Sequence, residues 1–155
     1  MKKRFLAMTL ALLMCLTLLP IGALAAPVGG TCEDGLTWTL DDEGTLTVTG
    51  SGPMKNYGTA RPDPNDSYEA TNAPWGEYFD QIVNLVIGSG VTKIGSYAFW
   101  GCSSIKTVSL SETVYSFENT AFMTEGEIEK IEVSADNQYF SSENGILFNK
   151  DKTIL

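Results

Sequence analysis

The sequence contains no histidine, so hydrolytic or redox chemistry would fall first to its carboxylates and thiols. Without imidazole, the Ser-His-Asp and Cys-His nucleophile systems, histidine zinc sites and histidine general bases are all excluded. The 19 acidic residues leave a paired-carboxylate glycosidase formally open, yet no spacing singles out a pair. Gly29-Gly30 and Gly88-Ser89-Gly90 lack the spacing of nucleotide-binding loops and are read as turns. The chain is therefore expected to be neither an enzyme nor the holder of a cofactor.

Two acidic segments invite a calcium reading. Asp41-Asp42-Glu43-Gly44 carries three carboxylates in four residues, but nothing in its spacing implies further oxygen ligands, so a solvated turn is the reading taken. Asp63, Asn65, Ser67 and Glu69 recur at every second residue like the start of a calcium loop. Position 68 lacks the turn glycine, however, and Pro74 stands where the bidentate glutamate belongs. The Asn65-Asp66-Ser67 sequon matters only in a eukaryotic secretory pathway.

The thiols lead to compartment. Lys2, Lys3 and Arg4 precede an apolar run from Phe5 to Leu19, broken by Pro20 and followed by Ala23-Leu24-Ala25. That is the plan of a secretory signal peptide over residues 1–25, cleaved after Ala25. An uncleaved membrane anchor is the rival reading, but the run is shorter than the roughly 20 apolar residues that span a bilayer, and no membrane insertion is expected after cleavage. Cys15 lies within it, preceded by Met14 where a lipoprotein signal would have a small residue. Cys32 and Cys102 remain. An oxidising exterior allows a disulfide between them, but two cysteines fix no framework. Cys102 falls between Phe99 and Ile105 at apolar spacing, which suits a buried free thiol.

Loss of Lys2, Lys3 and Arg4 takes the formal charge from −9 to −12. This excess argues against nucleic acid and anionic lipid as partners, since both require a basic footprint. Acidity also keeps an exported protein soluble, so it names no partner.

The elements that would position any surface chemistry follow from patterning. From Gly35 to Gly50, Leu36, Trp38, Leu40, Leu46 and Val48 share one face, and the threonines at 37, 39, 45, 47 and 49 share the other. This predicts a β-hairpin, within an N-terminal cap spanning 26–52. Residues 53–77, punctuated by Pro53, Pro62, Pro64 and Pro74, are expected to form an irregular connection. Beyond it, Ile82, Leu85 and Ile87 are matched with a period of 23 by Ile105, Val108 and Leu110, and again by Ile128, Ile131 and Val133. Val91 pairs likewise with Val114, Ile94 with Phe117, Ala98 with Ala121 and Phe99 with Phe122. A period in this range means stacked solenoid coils.

The fold class expected is therefore mainly β, a leucine-rich-repeat solenoid over 78–155 with one parallel strand in each period. Residues two apart in a strand share a face, so Val108 and Leu110 point inward. The outward row, Asn84, Val86, Thr107, Ser109, Lys130 and Glu132, is the candidate ligand surface; good exposed strand residues would have the same types. Trp100, next to the inward Phe99, is expected to turn away from the core. There it either stacks on a sugar ring or packs on the neighbouring coil.

The run VTKIGSYAFWGCSSIKTVSL, Val91 to Leu110, resembles the repeat of BspA-like bacterial leucine-rich-repeat surface proteins. TCEDGLTWTLDDEGTLTVTGSG, Thr31 to Gly52, resembles the β segment that precedes such repeats, and Ala73 to Trp75 its junction. SSENGILFNKDKTIL, Ser141 to Leu155, resembles a hairpin that interrupts these arrays. Gly90, Thr113 and Asp136 stand where a generic leucine-rich repeat has Asn or Cys, which favours the BspA-like subclass. Glu118 and Glu125 replace the motif's Gly95 and Cys102 in the second coil, so a looser turn is expected there.

The resemblance implies a non-catalytic, secreted or cell-surface bacterial protein whose array serves adhesion or protein-protein interaction, in some relatives with host matrix proteins. The alternative is a carbohydrate- or cell-wall-binding spacer that targets a C-terminal domain. After Val133 no polar capping coil is apparent, so the sequence is expected to be the N-terminal part of a longer protein or a truncated product, ending on a bare strand edge.

Overall fold

The computed structural model describes residues 26–153 apart from 33, 61–69 and 125. The signal segment, the Asp63–Glu69 pattern and Glu125 lie outside the described residues.

The strands are β1 (Val28–Thr31), β2 (Thr37–Leu40), β3 (Thr45–Thr49), β4 (Gly52–Pro53), β5 (Thr59–Ala60), β6 (Ala70–Thr71), β7 (Asn84–Ile87), β8 (Val91–Ile94), β9 (Thr107–Leu110), β10 (Ser116–Phe117), β11 (Lys130–Val133), β12 (Phe140–Glu143) and β13 (Ile146–Asn149). The described residues hold one 3₁₀ turn, Gly76–Tyr78. β1-β2-β3-β7-β9-β11 form one six-stranded sheet and β10-β8-β4 a second. The chain is mainly β, and β7, β9 and β11 stack in parallel on the expected period.

Alternation sets which side each strand buries. In β7 and β9 every second residue is buried, so Leu85, Ile87, Val108 and Leu110 enter the core while their neighbours face out. Parallel pairing aligns Leu85 with Val108 and Val108 with Ile131, each one full period on. One coil has a single apolar edge and cannot bury it unaided; the stack supplies the missing wall.

The hairpin is joined to this stack rather than placed beside it. β2 and β3 pair antiparallel as expected, but β3 then pairs in parallel with β7, Leu46 opposite Leu85 and Val48 opposite Ile87. β4 continues alongside β8, and Met54 N and Tyr57 N donate to Lys93 O and Ser96 O. Residues 45–57 therefore trace a coil of their own. The step from Thr45 to its partner Asn84 is much longer than the step from Asn84 to Thr107, which hides this coil from a search at the common period.

Residues 53–77, expected as an irregular connection, supply β5, β6, parts of β4 and of the 3₁₀ turn, and a share of the core. Met54, Tyr57, Ala70, Thr71, Ala73 and Trp75 are all buried. The prolines and glycines break this stretch into pieces too short to show a period, yet those pieces carry the apolar groups that close the first coil. Trp75 is fully buried, and its Nε1 donates to Ala98 O at 2.8 Å, as a buried indole must. Its ring stacks on Phe99, 5.6 Å between centroids, and meets the edges of Trp38 and Tyr57 at 6.3 and 5.6 Å. Phe99 stacks in turn on Phe122, which meets Phe117, and Phe117 packs on Phe140. One aromatic wall thus runs from hairpin to last coil, opposite the aliphatic strand columns.

Gly95 shows what the motif's glycine does. A Cβ there would lie 1.8 Å from Lys55 O, so the coils touch backbone to backbone at this point. In the following coil Glu118 takes its place, its backbone N donating to Ile94 O while its side chain pairs with Lys93. Ala121 stays fully buried there and Phe122 partly buried.

The third coil differs again. Asn137 takes the place that Val91 and Val114 hold in the coils before it, a column that is otherwise apolar, and it is fully buried. Its Nδ2 donates to Ser111 O and Val114 O, and its Oδ1 accepts from Tyr139 N and Phe140 N, all at 2.8 Å. This one amide ties the last turn to the coil beneath it and starts β12. The hairpin β12–β13 then folds back on the open side of β11. Gly145 O accepts from Ile131 N at 2.8 Å and Ser142 Oγ accepts from Val133 N at 3.0 Å. Two outward donors of β11 are thereby satisfied.

Asn137→Ala would strand two carbonyls and two N–H groups in the interior. We expect it to cost about 3 kcal/mol, seen as a lower denaturant midpoint, whereas Asp136→Ala on the exposed neighbour should leave the midpoint nearly unchanged.

Candidate binding face

The outward residues of the large sheet fall into ordered rows because pairing is in register and side chains alternate. Thr45, Asn84, Thr107 and Lys130 are successive partners in one row. Thr39, Thr47, Val86, Ser109 and Glu132 form the next. Neighbouring strands lie about 4.8 Å apart, so each row is a straight file of short side chains. All six strand residues singled out from sequence lie on this one face.

Their environments differ. Thr107 Oγ1 donates to Asn84 Oδ1 at 2.7 Å, so these two are partly committed to each other. Ser109 makes no side-chain hydrogen bond among the described residues, and Val86 presents an apolar group. Lys130 and Glu132 form an ion pair at 2.7 Å with both side chains more than half exposed, and Lys106 pairs with Glu129 beside them. Exposed pairs of this kind add little stability, so their charges stay available to a partner. The face is thus uncharged across the first coils and charged on the last.

Two hollows mark it. One, about 350 Å³, crosses β7, β9 and β11 at their C-terminal ends and is lined by Val86, Ser109 and Glu132 together with Gly88, Ser111 and Ser134. Ser111 does not reach into it freely, since its hydroxyl donates back to Gly88 O. The other, about 540 Å³, lies between β11 and the hairpin turn, with Lys130, Glu132, Ser142 and Asn144 among its walls.

Trp100 is elsewhere. It sits on the turn after β8, half-buried, with its ring 5.1 Å from that of Tyr97 and its carbonyl accepting from Thr71 N. The structure brings together the six strand residues and leaves the tryptophan apart from them.

An exposed aromatic pair escaped the sequence reading. Tyr115 and Tyr139 have ring centroids 5.7 Å apart and relative exposures of 47 and 54%. Tyr139 is one residue out of phase with the period, because the chain turns at Asn137 into the hairpin. No spacing in the sequence connects the two rings.

The loop of residues 41–44 is held by its own carboxylate. Asp41 Oδ1 accepts from Glu43 N and Thr45 N at 3.0 and 2.8 Å, closing its own loop. Among the described residues no three Cys, Asp or Glu groups are placed to hold a metal ion. Cys32 and Cys102 are both free and buried, not joined in a disulfide. Burial raises the Cys32 thiol above its ordinary value and pushes Cys102 up to about 12. A thiolate is the reactive form, so Cys102 is inert at neutral pH and ionises only as pH climbs toward 12.

Residues 77–150 match the family model described as BspA type Leucine rich repeat region, in six copies. No curated protein matches the chain. Three solved structures are similar. A leucine-rich repeat protein from Eubacterium ventriosum has 22% identity and a TM-score of 0.48, over 84% of this chain and 50% of that one. The pneumococcal vaccine antigen PcpA has 13% identity and a TM-score of 0.33, over 84 and 55%. A leucine rich cell surface protein from Faecalibacterium prausnitzii has 12% identity and a TM-score of 0.23, over 81 and 59%. The chain thus spans between half and three fifths of the length of the structures it matches.

In native protein at pH 8 we expect Cys102 to resist alkylation, since about one thiol in ten thousand is ionised at that pKa, and to react fully once denaturant exposes it. Rapid native labelling at Cys102, followed by mass spectrometry of the peptide, would contradict this assignment.

Proposed function

We propose, from the premise that residues 77–150 belong to the BspA-type leucine-rich repeats, that the chain is a non-catalytic binding array of an exported bacterial protein. Its ligand is another protein, of the host matrix or of a cell surface, held across the outward face of the large sheet. The observation that carries this reading is the in-register assembly of Asn84, Val86, Thr107, Ser109, Lys130 and Glu132 on one open face. Function in a repeat array resides in such extended surfaces more than in a deep pocket. Short side chains let a partner approach the sheet closely, and the exposed Lys130–Glu132 pair offers both charges at one end. Export rests on the signal-peptide plan of residues 1–25. Among the described residues no helix is long and apolar enough to cross a membrane.

A second reading, glycan or cell-wall binding, is favoured by Tyr115 and Tyr139. Two exposed rings side by side are a surface on which a sugar can stack. Trp100 serves this reading less well because it is half-buried against Tyr97.

Screening against matrix proteins and against a glycan array separates the two. Changing Thr107, Ser109 and Lys130 together to alanine should weaken protein binding about tenfold or more, equivalent to about 1.4 kcal/mol, while the chain still melts in one cooperative transition. Tyr115→Ala with Tyr139→Ala should abolish glycan binding alone. A protein ligand unaffected by the triple change would overturn the assigned face.

A further inference from the structure

Asn144 is the sole asparagine in the sequence that is followed by glycine, and the structure places it at an exposed corner. With Gly145 it forms the two-residue loop between β12 and β13, with Glu143 opposite Ile146. Both residues have positive φ, 52° and 82°, the conformation that a tight hairpin loop of this kind requires. Its side chain makes no hydrogen bond among the described residues.

The other described asparagines are held or hindered. The Oδ1 atoms of Asn56, Asn72, Asn84, Asn137 and Asn149 all accept hydrogen bonds. Asn119 is exposed but precedes the β-branched Thr120. Gly145 offers no Cβ to obstruct its own nitrogen.

We infer that the Asn144-Gly145 turn is a self-modifying site, at which the asparagine converts to aspartate and isoaspartate and in doing so releases the hairpin from the sheet edge. Hydroxide removes the Gly145 N–H proton and the nitrogen attacks Cγ of Asn144. A C–N bond forms, the Cγ–Nδ2 bond breaks and ammonia leaves, giving a succinimide. Water then opens either carbonyl of that ring, so that one amide and one water have become one carboxylic acid and one ammonia. Opening on one side gives aspartate. Opening on the other sends the main chain through the side chain and adds a methylene to the loop.

That added atom matters because of what the loop holds. Gly145 O is the acceptor for Ile131 N on the edge of β11, and a Cβ on Gly145 would already lie 3.3 Å from Glu129 O and 3.4 Å from Lys130 Cα. A two-residue loop has no slack, so lengthening it moves that carbonyl away from Ile131. The new carboxylate also enters a hollow walled by Glu129, Lys130 and Glu132, where two of the three charges repel it.

The test ages the full chain at 37 °C and mildly alkaline pH, then maps it by peptide mass spectrometry and hydrogen exchange. We expect the mass gain of amide-to-acid conversion first at Asn144, resolved as an aspartate and isoaspartate doublet, and faster exchange at the Ile131 amide in the aged protein. Asn144→Gly keeps a loop-compatible residue and should show neither change. Conversion appearing first at another asparagine, or none at Asn144 when a free peptide of residues 140–149 has fully converted, overturns the site. Conversion at Asn144 with unaltered exchange at Ile131 overturns the release.

Discussion

A coil with one apolar edge cannot hold its shape in water, and every other feature of this molecule follows from the need to cover that edge. Leu46, Leu85, Val108 and Ile131 form one inward column and Val48, Ile87, Leu110 and Val133 another. Each residue is covered by the ones before and after it. The hydrophobic gain per coil is modest, but it is shared between neighbours, so the array gains stability by stacking rather than by enlarging a core.

Column packing imposes backbone contact on the opposite side, and there the sequence uses two solutions. Where coils touch most closely, Gly95 admits Lys55 O against its Cα. Where they part, aromatic rings fill the gap, from Trp38 and Trp75 through Phe99 and Phe122 to Phe117 and Phe140. Asn137 is the polar exception in an apolar column. It is tolerated because each of its hydrogen-bonding directions toward the protein is used, and an equally buried amide without those partners would be a defect. What it adds is direction, since it turns the chain out of the coil and into the hairpin that covers β11.

Burying alternate residues of β2, β3, β7 and β9 leaves their outward residues free to vary without disturbing the core. Rows such as Thr47, Val86, Ser109 and Glu132 can change without disturbing the columns behind them. The same separation explains why the reactive groups are quiet: both thiols belong to the buried side, where desolvation holds them protonated.

The sequence by itself determined the repeat period, one parallel strand in each period around Leu85, Val108 and Ile131, and which of their residues face in or out. Alternation and repetition are written along the chain, and each residue's neighbour in space is its counterpart one period away. Tertiary structure alone decided that residues 45–57 are the first coil, that Trp75 anchors the aromatic wall, that Asn137 replaces a valine, that Cys32 and Cys102 stay apart, and that Tyr115 meets Tyr139. Those contacts join residues with no common spacing: Thr45 and Asn84 are separated by far more than one period, and the two tyrosines fall just outside it. A period is visible only where consecutive coils have equal length, whereas packing requires only that inward residues meet in register.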